Sequence, residues 1–461
     1  MKDKVVLLVV GFFVICLTSC LGNDDDYTYV PSGDAQVYRF HLQSDSVPAL
    51  DSVLFAIDNL NGQIYNPDSM DYGTVIKDKV ICSISTRGVM SVQVKQTALS
   101  DTLSSWNTVD SLDFSKPVEF VLTSMDGVHK MNYTAQVNIH TVNPDSIDWQ
   151  LFTSNVFPEN YTDQITLISN DSTRFFMYVK SGSAYSLRSA PLDNVLAWTE
   201  LSLNDFPEDA QIQQMTYYGE SLLVAGKDGK LYQSVNGTDW KEVNNAPYVI
   251  SILGEIKKAL KTDPCFVTIA KEENSYFYYY TSDLEVWIKG EEIPDGFPIS
   301  GFGRINYDNM YKEYLLIMAG KDKNGSLIND VWITTRNSGD TSYNLAWIKS
   351  TNLPPFKEGR EGIMLTKYDD KLYVIGGMNK EGKTAKDISY SVDYGLSWHA
   401  IDSLKILPQS YAPRAFSSIH VDKNNYLLIF GGKEKPASMP LNQIWKGRIN
   451  RLGFKIPYKN D

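Results

Sequence analysis

Six tryptophans return along this chain at a slow beat. Trp149, Trp198, Trp240, Trp287, Trp347 and Trp398 stand 42 to 60 residues apart, the length of four short β-strands and their turns. A four-stranded unit repeated at that interval predicts radially arranged sheets, a β-propeller. Counting back from each tryptophan supplies the rest of the unit. Tyr185, Tyr232, Tyr280, Trp332 and Tyr390 mark a third strand, and apolar runs at 175–179, 222–226, 265–269, 315–320, 372–377 and 426–432 mark six second strands. The sixth unit ends without a Trp-led fourth strand. Asp148-Trp149-Gln150-Leu151-Phe152 is such a strand standing alone ahead of the first unit. Paired into the last sheet, it would close the ring and remove the open edges that invite aggregation. The expected fold is all-β, with a six-bladed propeller over 146–461 closed by the strand around Trp149.

Upstream of the repeat the pattern changes. Val37 to Leu42, Val80 to Ile84, Ser91 to Val94 and Tyr133 to Val137 show or approach the alternation of half-buried strands. Asn61-Gly62 and Asp126-Gly127 favour the positive φ of hairpin turns. With no helical apolar stripe between Gly33 and Val142, residues 34–145 read as an antiparallel, immunoglobulin-like β-sandwich. Asn143-Pro144-Asp145-Ser146 marks the boundary.

The first residues carry an address. Lys2 and Lys4 precede an apolar run from Val5 to Leu17, and Thr18-Ser19 lead to Cys20. The run has 13 residues, short for about 30 Å of hydrocarbon. Leu17-Thr18-Ser19-Cys20 resembles a bacterial lipobox. The resemblance implies a signal peptide over 1–19, lipidation of Cys20 and attachment to a membrane through the lipid. Residues 20–33 then form a stalk, and Asp24-Asp25-Asp26 within it resemble the acidic signal that sends Bacteroidetes lipoproteins to the exterior of the outer membrane. The whole chain has net charge −12, and loss of Lys2, Asp3 and Lys4 leaves −13. That balance argues against nucleic acid and anionic headgroups as partners. Beyond Cys16 and Cys20 only Cys82 and Cys265 remain, in different predicted domains, so no disulfide framework is expected.

Ser391-Val392-Asp393-Tyr394-Gly395-Leu396-Ser397-Trp398 matches the Asp-box, Ser-x-Asp-x-Gly-x-x-Trp, and the segments ending in Trp240 and Trp287 resemble shortened copies. In such a turn the Asp side chain holds backbone N–H groups and the Gly takes positive φ; Ser391, Asp393, Gly395 and Trp398 are therefore structural residues. Gly376-Gly377 and Gly431-Gly432, with Arg360 and Arg414 upstream, resemble kelch repeats. The full layout of lipobox, acidic stalk, sandwich, the junction at 137–146 and propeller is similar to Bacteroidetes surface lipoproteins of the domain of unknown function 6242 type. That resemblance implies an address and a fold, and no activity.

One constellation stands out as a candidate ligand site. Arg304, Arg360 and Arg414 are 56 and 54 residues apart and precede Gly320, Gly377 and Gly432 by 16, 17 and 18 residues. They are expected at nearly equivalent places on the first strands of three consecutive blades, and first strands line the central channel. Three guanidiniums at one mouth would grip a carboxylate or sulfate. The other reading is that each bonds carbonyls of a neighbouring blade. Elsewhere the chain offers less. His41, His129, His140, His399 and His420 include no pair at metal-ligand spacing, and no phosphate loop or nucleophile elbow is present, so no metal, cofactor or catalytic residue is expected. Tyr276-Phe277-Tyr278-Tyr279-Tyr280 could be a sugar platform, although alternation along a strand assigns most of it to packing. Asp-Ser and Asp-Thr pairs at Ser46, Ser52, Ser69, Thr102, Ser111 and Ser146 resemble Bacteroidetes O-glycosylation sites.

The expectation is a surface-exposed outer-membrane lipoprotein whose propeller binds a glycan or a protein without catalysis. The alternative is a sialidase-like propeller acting on an acidic sugar. That reading lacks the early Arg-Ile-Pro motif of the sialidases, since Arg304-Ile305-Asn306 has no Pro.

Overall fold

The computed structural model describes residues 30–77, 79–158, 160–256, 264–309, 312–337 and 345–454. The lipobox, Cys20 and Asp24 to Asp26 lie outside the described residues. The chain divides into two compact units between Asn143 and Pro144. Among the described residues the regular elements are strands and three short 3₁₀ turns, and no helix is long and apolar enough to cross a membrane.

The N-terminal unit holds two sheets. Val37–Gln43, Val80–Thr86 and Ser111–Leu112 form one; six further strands, from Ala56–Asp58 to Lys130–Gln136, form the other. Inward-facing residues of both enter one core, where Phe40 meets Phe120 edge-on at 6.1 Å between ring centroids. The pairing is antiparallel except where Gln63–Tyr65 runs parallel to Lys130–Gln136. Gly62 and Gly127 take φ of 62° and 70°, as their hairpin turns require. Tyr133 ties the sheets together: its hydroxyl accepts from Val37 N at 3.1 Å and donates to Asn59 Oδ1 at 2.6 Å.

The described residues of the second unit form six sheets in chain order. The first runs Asp163–Ile168, Arg174–Ser181, Ala184–Pro191 and Thr199–Leu201, and the second Thr216–Tyr218, Ser221–Ala225, Leu231–Ser234 and Lys241–Glu242. The third starts at Val249–Ile256, the fourth at Pro298–Ser300 and Gly303–Asp308, the fifth at Met364–Tyr368 and the sixth at Ser418–Val421. Each sheet has a second strand that is apolar along most of its length because neighbouring sheets cover both its faces. Leu222 to Ala225 and Leu315 to Ala319 are wholly buried. Removal of each such Leu or Val side chain from water contributes about 1.5–3 kcal/mol.

First strands of successive sheets touch from the second sheet to the sixth, the first strand of the sixth touches that of the first, and the first strand of the first sheet touches the 3₁₀ turn Ile212–Gln214 that leads into the second. The cycle therefore has no free end. Ile147–Ser154, from before the first sheet, pairs antiparallel with Gln443–Ile449, the third strand of the sixth sheet. Side chains reinforce this seam. Asn442 accepts from Phe157 N at 2.9 Å through Oδ1 and donates to Phe157 O at 3.1 Å through Nδ2. Trp149 Nε1 donates to Lys405 O at 3.2 Å, and Gln164 Nε2 to Phe430 O at 3.1 Å.

Trp149 lies flat across Gly447, where a Cβ would stand 2.3 Å from Trp149 Cε3. Gly447→Ala is therefore expected to push the closing strand off its partner and destabilise the unit by about 1–3 kcal/mol. Urea denaturation checks this, with Lys227→Ala at an exposed loop position of the same unit as the control.

Candidate functional site

The first strands enclose a cavity of about 250 Å³, walled by residues 165–167, 213–216, 301–304, 362–365 and 416–420 from five of the six sheets. Among its lining residues Arg304 is the single permanently charged one. Its Nη1 donates to Ile252 O at 2.6 Å, and its Nη2 donates to Gln214 O at 2.8 Å and to Met215 O. One guanidinium from the fourth sheet thus pins backbone of the third sheet and of the turn entering the second. Burial with no counter-charge lowers its pKa to about 10, so it stays charged at neutral pH.

Arg360 and Arg414 are placed differently. Arg360 makes a two-pronged pair with Asp387, at 2.6 and 3.0 Å, and donates to Gly376 O at 3.0 Å. Arg414 is 0 % exposed; it donates to Ala412 O, Gly431 O and Gln443 Oε1 at 2.9–3.0 Å and lies 4.2 Å over the Tyr411 ring. Burial lowers its pKa. The expected convergence of the three arginines does not occur.

Strand register gives the reason. Glu361 bridges to Met378, Ala415 to Lys433, and Ser300 pairs with Lys321. The fourth-sheet counterpart of Arg360 and Arg414 is therefore Ile299, and Arg304 sits five residues further along, inside the strand. A similar count to the glycine concealed a different position. The backbone signature does extend to the fourth sheet, where Ala319 and Gly320 take φ of 60° and 94°, like Gly376-Gly377 at 70° and 91° and Gly431-Gly432 at 59° and 93°.

The turn at Ser391 to Trp398 is held as its residue types demand. Asp393 Oδ1 accepts from Ser391 Oγ and Ser397 N, each at 2.8 Å, while Gly395 N donates to Ser391 Oγ at 2.9 Å and Gly395 has φ of 86°. Trp398 Nε1 donates back to Gly395 O at 3.1 Å. These groups are all engaged locally. In the aromatic run, Tyr278 and Tyr280 are buried, and Lys289 Nζ lies 3.7 Å over Phe277. The run packs the sheet and forms no open platform.

A groove that the motifs did not indicate opens among the loops of the fourth, fifth and sixth sheets. It has a volume of about 610 Å³ and runs from Lys321 and Ser326 past Glu358 and Asn379 to Pro436. A second hollow of about 340 Å³ adjoins it, sharing Glu358 and Asn379 and reaching the Arg360–Asp387 pair. Asn379 shapes both: its Oδ1 accepts from Lys383 N at 2.9 Å and Glu381 N at 3.2 Å, and its Nδ2 donates to Glu358 Oε1 at 3.1 Å. Lys321 pairs with Glu361 at 2.7 Å, and Lys386 Nζ donates to Pro408 O at 2.8 Å. Lys383 has no ion pair among the described residues and remains exposed.

The family model described as the DUF6242 beta propeller domain matches residues 143–457, and that of the DUF6242 N-terminal domain matches residues 25–137. The chain belongs to the DUF6242 family. Its second unit is accordingly a β-propeller domain in an all-β chain. No curated protein matches. A solved structure described as "Structure of YjhT" is similar over 64% of this chain and 96% of that one, at 15% identity and a TM-score of 0.45.

In this DUF6242 propeller the seam between the first and sixth sheets contains a histidine the sequence did not mark. His420 Nε2 donates to Thr166 O at 2.6 Å, and its ring packs near Phe175 and Phe430. The residue keeps some exposed surface, yet burial of the ring lowers its pKa from 6.5 to about 4. Above pH 6.5 the ring is neutral in both states. As pH falls towards 4 the unfolded chain takes up a proton that the folded chain refuses, so stability is lost across that window, by about 2–3 kcal/mol. His420→Gln, which can still donate to Thr166, is expected to lose correspondingly less stability between pH 6.5 and 4. Denaturation at both pH values checks this, and equal losses in the two proteins would contradict it.

Proposed function

We propose that this chain is a lipid-anchored surface protein whose propeller binds an external ligand without transforming it. On this reading Cys20 carries the lipid, the acidic stalk and an immunoglobulin-like sandwich act as spacer, and the protein faces outward from an outer membrane. The six sheets are six blades of kelch-like and Asp-box character, closed by the strand around Trp149.

The observation that carries the proposal is the loop groove around Asn379. It combines a side-chain amide, the Glu358 carboxylate, the Ser326 hydroxyl and the exposed Lys383 with three glycines that keep its walls low. A few convergent polar groups in a concave site are the ordinary makings of a ligand site. The polar lining favours a glycan over an apolar protein surface. The alternative of turnover on an acidic sugar asks for a cluster of guanidiniums around one carboxylate; of the three arginines only Arg304 lines the channel cavity, while Arg360 is paired with Asp387 and Arg414 is buried on Gly431 O and Gln443.

Binding of the full chain in detergent to an array of neutral, uronate, sulfated and sialylated glycans tests the proposal. Asn379→Ala combined with Lys383→Ala is expected to weaken binding at least tenfold, about 1.4 kcal/mol. Lys227→Ala, in a loop of the second sheet, should leave it unchanged. Binding indifferent to the double variant, or absent for every glycan, would count against the groove.

A further inference from the structure

The cavity inside the ring of first strands carries a separate inference that does not rest on the groove. Its wall is polar in places, with Thr166, Gln213, Thr216, Ser417 and Ser418, and elsewhere apolar. Into it comes one cation, Arg304, and no carboxylate belongs to the wall. His420 is neutral at physiological pH and adds no charge.

The partners of Arg304 are three backbone carbonyls, and among the described residues it joins no ion pair. Carbonyl dipoles satisfy the geometry of Nη1 and Nη2 but leave the net charge uncompensated. Its Nε makes no hydrogen bond among the described residues. Arg304 is half-buried, and a charge withdrawn from water is ordinarily paired, the more so where low dielectric strengthens every field. The other arginine of the candidate trio with a comparable opening, Arg360, already has its carboxylate in Asp387. Arg304 differs from it in having both a cavity beside it and no counter-ion. About 250 Å³ is the share of liquid volume of roughly eight waters, enough for a hydrated ion or a single sugar acid.

We propose that the channel cavity is a binding site for one small anion, held by the charge of Arg304, of a size from a halide to a monosaccharide carboxylate. The Thr216 and Ser418 hydroxyls, whose protons are not committed to another partner among the described residues, supply the neutral part of its coordination. The ligand class is thus set by one fixed positive charge in an otherwise uncharged wall.

Isothermal titration of the full chain with potassium glucuronate, potassium chloride and glucose, at constant ionic strength held with a bulky anion, tests this. Glucuronate, chloride or both are expected to bind with one-to-one stoichiometry, and glucose at least tenfold more weakly; which anion binds tighter tells a sugar-acid ligand from an inorganic ion. Thr216→Phe fills the cavity while leaving the Arg304 charge in place and should abolish uptake while the melting transition stays cooperative. Arg304→Met should abolish it too, and Thr216→Phe keeps the test open should that protein fail to fold. Uptake of neither anion, equal uptake of glucose, or unchanged uptake in Thr216→Phe would overturn the proposal.

Discussion

A cycle of sheets has one weak place, where the end of the chain must meet its beginning. Sheets stacked in chain order pack against their neighbours without special provision, but the first and the last must find each other across nearly 300 residues. Here Ile147–Ser154 is used before the first sheet exists and becomes the outer strand of the last. Backbone pairing, the Asn442 side chain, Gln164, His420 and the flat contact of Trp149 on Gly447 all lie at that seam. Everything that depends on a closed inner wall, including the channel cavity, depends on these contacts.

The same wall explains the fate of the arginines. First strands present carbonyls inward and towards the loops, and a long, always-charged donor fork is well suited to gather them. Arg304 joins parts of three sheets in this way, and Arg414 binds the Gly431 turn with two further acceptors. Lys386 does likewise at the carbonyls of the 408–411 loop. These cations are scaffolding first. Only where a cavity lies alongside, as at Arg304, is the leftover charge available to something else.

Much of the architecture could be read in the sequence because it rests on repetition. The tryptophan spacing placed each second strand: the run at 265–269 lies within Cys265–Glu272, and the run at 315–320 within Lys312–Asp322. The isolated strand at Trp149 was readable because its counterpart was missing at the other end. In the N-terminal unit, the alternation at Val37 and Val80 located strands that do pair with each other. The site was far less legible. Counting residues back from a glycine assumes equal loop lengths, and the fourth sheet breaks that assumption with an extra short strand, Pro298–Ser300, and a turn at Gly301. Arg304 therefore stands at a similar count from its glycine as Arg360 and Arg414 while occupying a different place on its strand. The groove at Asn379 is made by four segments distant in sequence, at 321–327, 358–361, 378–382 and Pro436, each of which reads locally as an ordinary loop. His420 acts through a contact with Thr166 some 250 positions away, which no local pattern encodes.

Native-state hydrogen exchange of the amides in Gln443–Ile449 tests the closed ring most directly. If the seam is an integral part of one cooperative unit, these amides exchange only with global unfolding, at the same free energy as those of Leu222 to Ala225 in the second sheet. Exchange of Gln443–Ile449 at a markedly lower free energy, with Leu222 to Ala225 still protected, would show that the ring opens at the seam and would contradict the account.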